Sequence, residues 1–352
     1  MSLMNAEPGA LLILPHLRIQ NANAISSPLT HGFPSMTAFL GFMWALGRRM
    51  AVEQIPLRPR KIGVICHWHQ EQVQDGYVKT FRLTRNPVDR DGDTAAIVEE
   101  GRIGLEVTLV LQVDDATRVG ETSILFQGNE SQYRDIAWQV RELVDTLRIA
   151  GGTVLPRRPG PGIHVAPSLI LWPTSESDRQ QNFRHLRREW LPGFALVSRD
   201  DLLQSRVRQL QRDDPSATLL DAWLDLSRFN YRSRQNESGK IIWGHDRPAG
   251  SGWIVPIPVG YGALSDLHEG NQVVNARDDH TPFRFVESVY SIGQWIGPHR
   301  LRSVRDLLWW GEYRSQEGVY RCCNGYVPVP TDDDDEDPPG FSSYTPFSPA
   351  AV

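Results

Sequence analysis

The residues that could do chemistry are few and scattered. CHWH at 66–69 puts a thiol and two imidazoles in one short run. On a strand, His67 and His69 would share a face and Cys66 would point away. A zinc site needs a second Cys/His pair at ligand spacing. The other cysteines, Cys322 and Cys323, are sequence neighbours and too close together to serve one site. No metal is expected. His31 stands just ahead of an apolar helical run, where an imidazole can act as general base towards a ribose 2′-hydroxyl. A solvent-exposed loop histidine is the simpler reading. Glu99 and Glu100 are neighbours that point apart on a strand, which suits a solvated edge better than an acid/base pair. The sequence has neither a Walker phosphate loop nor a G-x-S-x-G elbow. No catalytic residue and no cofactor are assigned.

Three polar stretches suit recognition better than catalysis. RIQNANAISSPLTHGFPS, residues 18–35, carries Asn21, Asn23, Ser26, Ser27, Thr30 and His31 between two prolines and a strand. A simple turn needs about four residues, so this run is too long to be one. FRLTRNPVDRDGD carries Arg82, Arg85 and Arg90 with Asn86. Such a ribbon suits phosphate contacts, but a solvated hairpin tip balanced by Asp89, Asp91 and Asp93 fits equally well. Gly151 and Gly152, taken alone, are the stop of a helix.

The elements that must position these residues follow from periodicity. ALLILPHLRIQ is expected as the first strand, and its continuous apolar run Leu11, Leu12, Ile13 and Leu14 as buried on both sides. SMTAFLGFMWALGRRM is a helix, with Ser35 as its cap, Phe39, Phe42, Met43 and Leu46 on one face, and Arg48 and Arg49 in its last turn. KIGVICHWHQEQ and RIGLEVTLVLQV are strands, with YVKTFRLTRN between them as a further strand or a hairpin arm. SQYRDIAWQVRELVDTLRIAGG is a second helix ending at the glycine pair, and GTVLPR a short strand. The order is strand, helix, strand, excursion, strand, helix, strand. That is the split βαβ pattern, so the fold class is α+β: an RNA-recognition-motif or ferredoxin-like core with a hairpin excursion. Beyond PRRPGPGIHVAP, SLILW is a short strand and three helices follow. NESGKIIWGHDRPAGSG is expected as a polar loop and GWIVPIPVGYGALS as strand. TPFRFVESVYSIGQWIGPHR and SVRDLLWWGEY are expected as two more helices or helix-rich turns, making the C-terminal half helix-rich. The units are then 1–155, a core with an inserted hairpin; 166–330, a mixed helix-rich lobe for protein contacts; and 331–352, an acidic, proline-rich segment expected to be disordered.

Bulk properties neither demand nor exclude nucleic acid. The formal net charge is −5, yet TDDDDEDPPG holds six consecutive acids, and without them the balance is +1. Residues 1–90 hold ten Arg and Lys against five Asp and Glu, and the chain has 34 Arg to 3 Lys. Arginine offers a planar fork for phosphate and a flat face for bases, although a GC-rich genome explains the bias as well. No apolar run approaches the roughly 18 residues of a membrane helix. The opening residues lack the basic leader of a secretory signal. Three cysteines make no disulfide framework, so a cytoplasmic location is expected.

The segments RIQNANAISSPLTHGFPS, LTRNPVDRDGDTAAIVEEGR, LPGFALVSRDDLL, GWIVPIPVGYGALS, NARDDHTPFRFVESVYSIGQW and PHR…DLLW carry a resemblance. The chain resembles the second Csy proteins, the Cas-five-type subunits of type I-F CRISPR surveillance (Csy, or Cascade) complexes, from residue 11 to about 320. The acidic segment lies outside it. The resemblance implies a non-catalytic RNA-binding scaffold in antiviral defence. Such a subunit holds the 5′ handle of the CRISPR RNA (crRNA), pairs with the large PAM-reading subunit and abuts the first copy of the backbone subunit. It meets target DNA only indirectly. On this reading Asn21, Asn23, Ser26 and Ser27 contact handle bases or sugars. Arg82 and Arg85 hold phosphates, Asn86 is a further RNA-binding residue, and Gly151, Gly152 and Thr153 form a backbone cradle. Arg277 and Arg284 are second-rank RNA contacts, and Trp295, Trp309, Trp310 and Phe283 are anchors for partners or ordinary core. Two alternatives stay open: a metal-independent CRISPR ribonuclease using His31 with Arg82 or Lys79, and a protein-only interaction scaffold.

Overall fold

The computed structural model describes residues 8–74, 76–77, 80–84, 92–93, 98–117, 123–228, 231–236, 238–245, 247, 251–276 and 278–328. Of the residues singled out above, Lys79, Arg85, Asn86, Asp89, Arg90, Asp91, Arg277 and the acidic segment 331–352 lie outside these.

The N-terminal half comprises β1 (Ala10–Asn23), α1 (Met36–Val52), β2 (Leu57–Glu71), β3 (Arg102–Asp115), α2 (Glu130–Asp145), β4 (Arg148–Ile149) and β5 (Gly152–Val154). Its strands are antiparallel in the order β4–β5–β1–β3–β2. Among the described residues, the excursion between β2 and β3 includes two short ribbons, Val73–Gln74 with Thr80–Phe81 and Leu83–Thr84 with Val98–Glu99.

The run of four aliphatic residues in β1 is buried on both sides. Leu12 and Leu14 meet α1 and α2 through Phe39, Phe42, Met43, Leu46, Ile136 and Val140. Leu11 and Ile13 meet Phe183, Leu186 and Trp190 on the other face. Each such side chain contributes about 1.5–3 kcal/mol on burial, so the strand is fixed from two directions. α2 starts with a capping box between Asn129 and Gln132. Ser35 occupies the cap position of α1, but its hydroxyl faces Thr37 Oγ1 at 2.5 Å instead of capping the backbone. α1 runs on to Val52, so only Arg49 of the arginine pair lies in its last turn.

The C-terminal half contributes β6 (Ser168–Leu171), α3 (Glu176–Glu189), β7 (Phe194–Ser198), α4 (Asp200–Asp213), α5 (Leu219–Ser227), the hairpin β8 (Tyr231–Gln235) and β9 (Ile241–His245), β10 (Trp253–Ala263), β11 (Val286–Ile296), α6 (Val304–Leu307), β12 (Trp309–Arg314) and β13 (Val319–Asn324). The sheet continues from β2 as β7–β11–β10–β13–β12, and β12 returns to β2 with Trp309 opposite Ile62. β6 lies along the first residues of β1.

Several expectations are corrected here. VESVYSIGQWI is a strand, not a helix, and SVRDLLWWGEY is one helical turn followed by a strand. Both carry short apolar runs rich in aromatic and β-branched residues, whose period does not separate helix from strand. Their sheet partners decide: Trp309 is fully buried and its Nε1 donates to Leu196 O at 2.9 Å. Trp309 and Trp295 are therefore core, and Trp310 lies beneath Lys61 Nζ at 4.7 Å. The C-terminal half is thus mixed, not helix-rich. Residues 241–245, expected within a polar loop, form β9 and pair with β8. α2 ends at Asp145, capped by Thr146, so Gly151 and Gly152 do not stop it. β1 runs three residues beyond the expected strand, to Asn23, broken by two irregularities in its pairing with β3. His16 (φ 48°) lies in the first and Asn21 (φ 57°) in the second, the left-handed residues that bulges use.

Candidate nucleic-acid interface

Two stretches singled out separately in the sequence meet at the end of β1. Thr153 lies opposite Gln20, and Asn23 N donates to Ala150 O at 2.8 Å. Ala150 (φ 49°) and Gly151 (φ 78°) form the two-residue turn between β4 and β5, and their positive φ values are those a tight hairpin needs. The two glycines then differ. A Cβ on Gly151 would meet nothing within 4 Å, whereas one on Gly152 would lie 2.6 Å from Ile19 Cγ2 and 2.8 Å from Ala22 N. Gly152 lets β5 close on β1, and Gly151 keeps backbone open to solvent. Thr153 is exposed beside it.

The polar run after Ile19 divides in the same way. Asn23 closes on its own loop: its Nδ2 donates to Ile25 O at 2.7 Å and its Oδ1 accepts from Ile25 N at 3.1 Å. Ser26 Oγ accepts from Ser35 N at 2.9 Å. Ser27 is buried, its hydroxyl 2.7 Å from Thr30 Oγ1 and accepting from Leu29 N at 3.3 Å. These three shape the loop. Asn21 is exposed and accepts through Oδ1 from Gln72 Nε2 at 2.5 Å. Gln72 also accepts on its carbonyl from Arg82 N at 3.3 Å, which ties the exposed Arg82 to the same end of the sheet. Gln72 had no signal in the sequence: it becomes visible only once β2 and the excursion are placed. Arg284 is held elsewhere, donating to Tyr313 Oη of β12 at 3.0 Å.

His31 is exposed, with Nδ1 3.7 Å from Glu71 Oε2 and its ring edge-on to Phe81 at 5.9 Å. CHWH does not gather ligands, because the pairing of β2 with β3 shifts between Cys66 and Trp68. His67 turns inward, stacks on His16 at 4.1 Å and joins Thr108 Oγ1 and Pro192 O at 2.7 Å each. Burial pulls the His67 pKa down to about 4 against the opposing Pro192 contact, with His16 adding to the fall. Burial likewise pushes the Cys66 thiol up to about 12. Among the described residues no group of three or more His, Cys, Asp or Glu is placed to hold a metal ion. No helix among them is long and apolar enough to cross a membrane.

Residues 12–322 match the model of the Cas_Csy2 family of CRISPR-associated proteins. The chain belongs to the Csy2 family. The CRISPR-associated protein Csy2 of Pseudomonas aeruginosa (strain UCBPP-PA14) is 44% identical over 329 residues, 90% of this chain and 95% of that protein. The resemblance to the type I-F Csy proteins is thereby borne out along nearly the whole described chain. The family match ends ahead of the acidic run at 332–337.

Proposed function

We propose that this Csy2-family chain is a non-catalytic structural subunit of the type I-F CRISPR RNA-guided surveillance complex, holding the 5′ handle of the crRNA at the end of β1. The observation that carries the reading is the convergence of Asn21, Gly151, Thr153 and Arg82 there, with an amide, open backbone, a hydroxyl and a guanidinium all facing outward. Single-stranded RNA is recognised by such mixed donors and acceptors. The order β5–β1–β3–β2, with α1 and α2 packed on one face, supports an RNA-recognition-motif or ferredoxin-like core over residues 1–155. Residues 166–330 supply the surface for the large PAM-reading subunit and the first backbone subunit. Target DNA is met through those partners, and the complex works in the cytoplasm.

A gel shift tests this: the purified chain with the large subunit should retain handle RNA, and no retention would overturn the reading. Within it, Arg82→Ala weakens handle binding by about 1–3 kcal/mol and makes the salt dependence shallower. Unchanged affinity and slope would take Arg82 off the interface. The pairing of His31 with Glu71 keeps a second reading in view, a metal-independent ribonuclease. Incubation with repeat RNA in chelator decides it: cleavage that disappears with His31→Ala would replace the binding role.

A further inference from the structure

The sheet face that turns away from α1 and α2 is packed over one end: Phe183 and Leu186 of α3, with Trp190, meet Leu11, Ile13, Ile65 and Val110 there. Beyond His16 the same face carries Arg18 and Gln20 of β1, since Leu17 and Ile19 are core on the helix side. It carries Gly104 and Glu106 of β3 for the same reason, with Ile103, Leu105 and Val107 in that core. Trp68 of β2 stands opposite Glu106, and half of its surface is open to solvent. Its six-membered ring leans across to β3, where a Cβ on Gly104 would lie 3.2 Å from Cζ3 and 3.3 Å from Cη2. Glycine at 104 therefore gives the indole its bed, and the rest of the ring system faces outward. No other ring and no cation meets it among the described residues.

The surroundings of the indole suit a nucleic acid. Glu106 is engaged by His16 Nδ1 at 2.7 Å, and Arg18, opposite Glu106, has no ion pair or side-chain hydrogen bond among the described residues. In the next row Gln20 faces Thr153, and Arg148 lies beyond Thr153 at the edge of the sheet. Gln70 stands opposite Gly104. All of these but Arg18 and Gly104 are fully exposed. A protein-docking patch surrounds its aromatic anchor with contacts that exclude water. Here amides, a hydroxyl and guanidiniums surround it. Single-stranded RNA takes that combination, with bases stacked on rings and cations along the backbone. Thr153 and Gly104 are two strands apart, about 10 Å, so the face runs on from the turn at Gly151. We infer that Trp68 is a stacking platform for a base of single-stranded RNA, on a strip of sheet that runs from Thr153 past Gln20 and Arg18 to Gly104. The inference rests on the handle reading for where the strand enters; the platform itself accepts any base, since every base has a π-face.

The test uses the full chain with the large subunit and labelled handle RNA, read by fluorescence anisotropy. Trp68→Leu keeps an apolar side chain over Gly104 but removes the π-face, and should weaken binding about tenfold, the scale of one stacked base. Thermal unfolding should not change. Trp68→Phe restores a ring and should recover most of the affinity. Arg18→Gln should make the salt dependence shallower. Handle binding that survives Trp68→Leu unchanged would overturn the platform and leave the handle reading in place. A Phe variant as weak as the Leu variant would overturn it too. If the native chain does not retain handle RNA, the handle reading falls, and labelled oligouridine tests the platform by itself: binding that drops with Trp68→Leu upholds it, and no binding or no drop overturns it. Loss of the large subunit from the Trp68→Leu chain without RNA would assign the indole to a protein contact and overturn it as well.

Discussion

At the end of β1 two stretches of small and polar residues lie side by side and use their hydrogen-bonding groups differently. From Asn23 to Ser35 the side chains serve the chain itself: Asn23 holds Ile25, Ser26 holds Ser35, and Ser27 holds Leu29 and Thr30. From Ala150 to Thr153 the chain alternates: Ala150 and Gly152 are enclosed, while Gly151 and Thr153 face solvent. A run of Asn and Ser is therefore not in itself a binding surface. What remains available to a ligand is whatever the loop does not need, and here that is Asn21, Gly151, Thr153 and Arg82.

The sharpest way to break this contrast is to fill the two glycines in turn. Gly152→Ala drives a methyl into Ile19 Cγ2 and against the backbone of Gln20 and Ala22, at 2.6–2.8 Å. The two strands cannot separate without losing their pairing, so a loss of about 3 kcal/mol is expected in urea unfolding. Gly151→Ala meets no atom and costs only the left-handed φ of 78°, about 1–2 kcal/mol. Equal losses would mean that both glycines serve packing.

His67 marks the extreme of inward use. It is held neutral in the fold because burial lowers its pKa from 6.5 to about 4. The unfolded side chain takes up a proton below about pH 6.5, where the folded one does not. Its contribution to stability is complete above pH 6.5 and is lost as the pH falls to about 4. At about 1.4 kcal/mol per pKa unit, a loss of about 3.5 kcal/mol at most is expected across that window. Thermal unfolding of the native chain and of His67→Gln checks it, and parallel pH profiles would show that His67 is not the group that titrates.

Parts of this were legible in the sequence for definite physical reasons. Leu11, Leu12, Ile13 and Leu14 announce two-sided burial because no polar residue interrupts them. Phe39, Phe42, Met43 and Leu46 announce a helix because they repeat at its period, and all four are buried. Gly151 and Gly152 were misleading because a helix stop and a tight hairpin turn need the same freedom in φ. The bulges at His16 and Asn21 are set by pairing with β3, which lies about ninety residues away, so no local pattern could reveal them. Which of the polar residues face outward depends on the same long-range pairing.

The smallest expected effects separate the two kinds of residue most cleanly. Ser27→Ala removes an acceptor from Leu29 N and a partner from the Thr30 hydroxyl in a buried place, so it should cost about 1 kcal/mol of stability. Affinity for handle RNA, measured on the folded fraction, should not change. Asn21→Gly does the reverse. Glycine accepts the φ of 57° without strain, and among the described residues the exposed bond to Gln72 is the only one lost, so stability should stay within about 0.5 kcal/mol. Handle binding should weaken by about 1 kcal/mol if the amide faces RNA. A Ser27 variant that binds poorly while fully folded, or an Asn21 variant that binds as well as the native chain, would reverse the assignment of inward and outward groups. The loop would then meet the RNA through its buried hydroxyls, which requires it to open on binding.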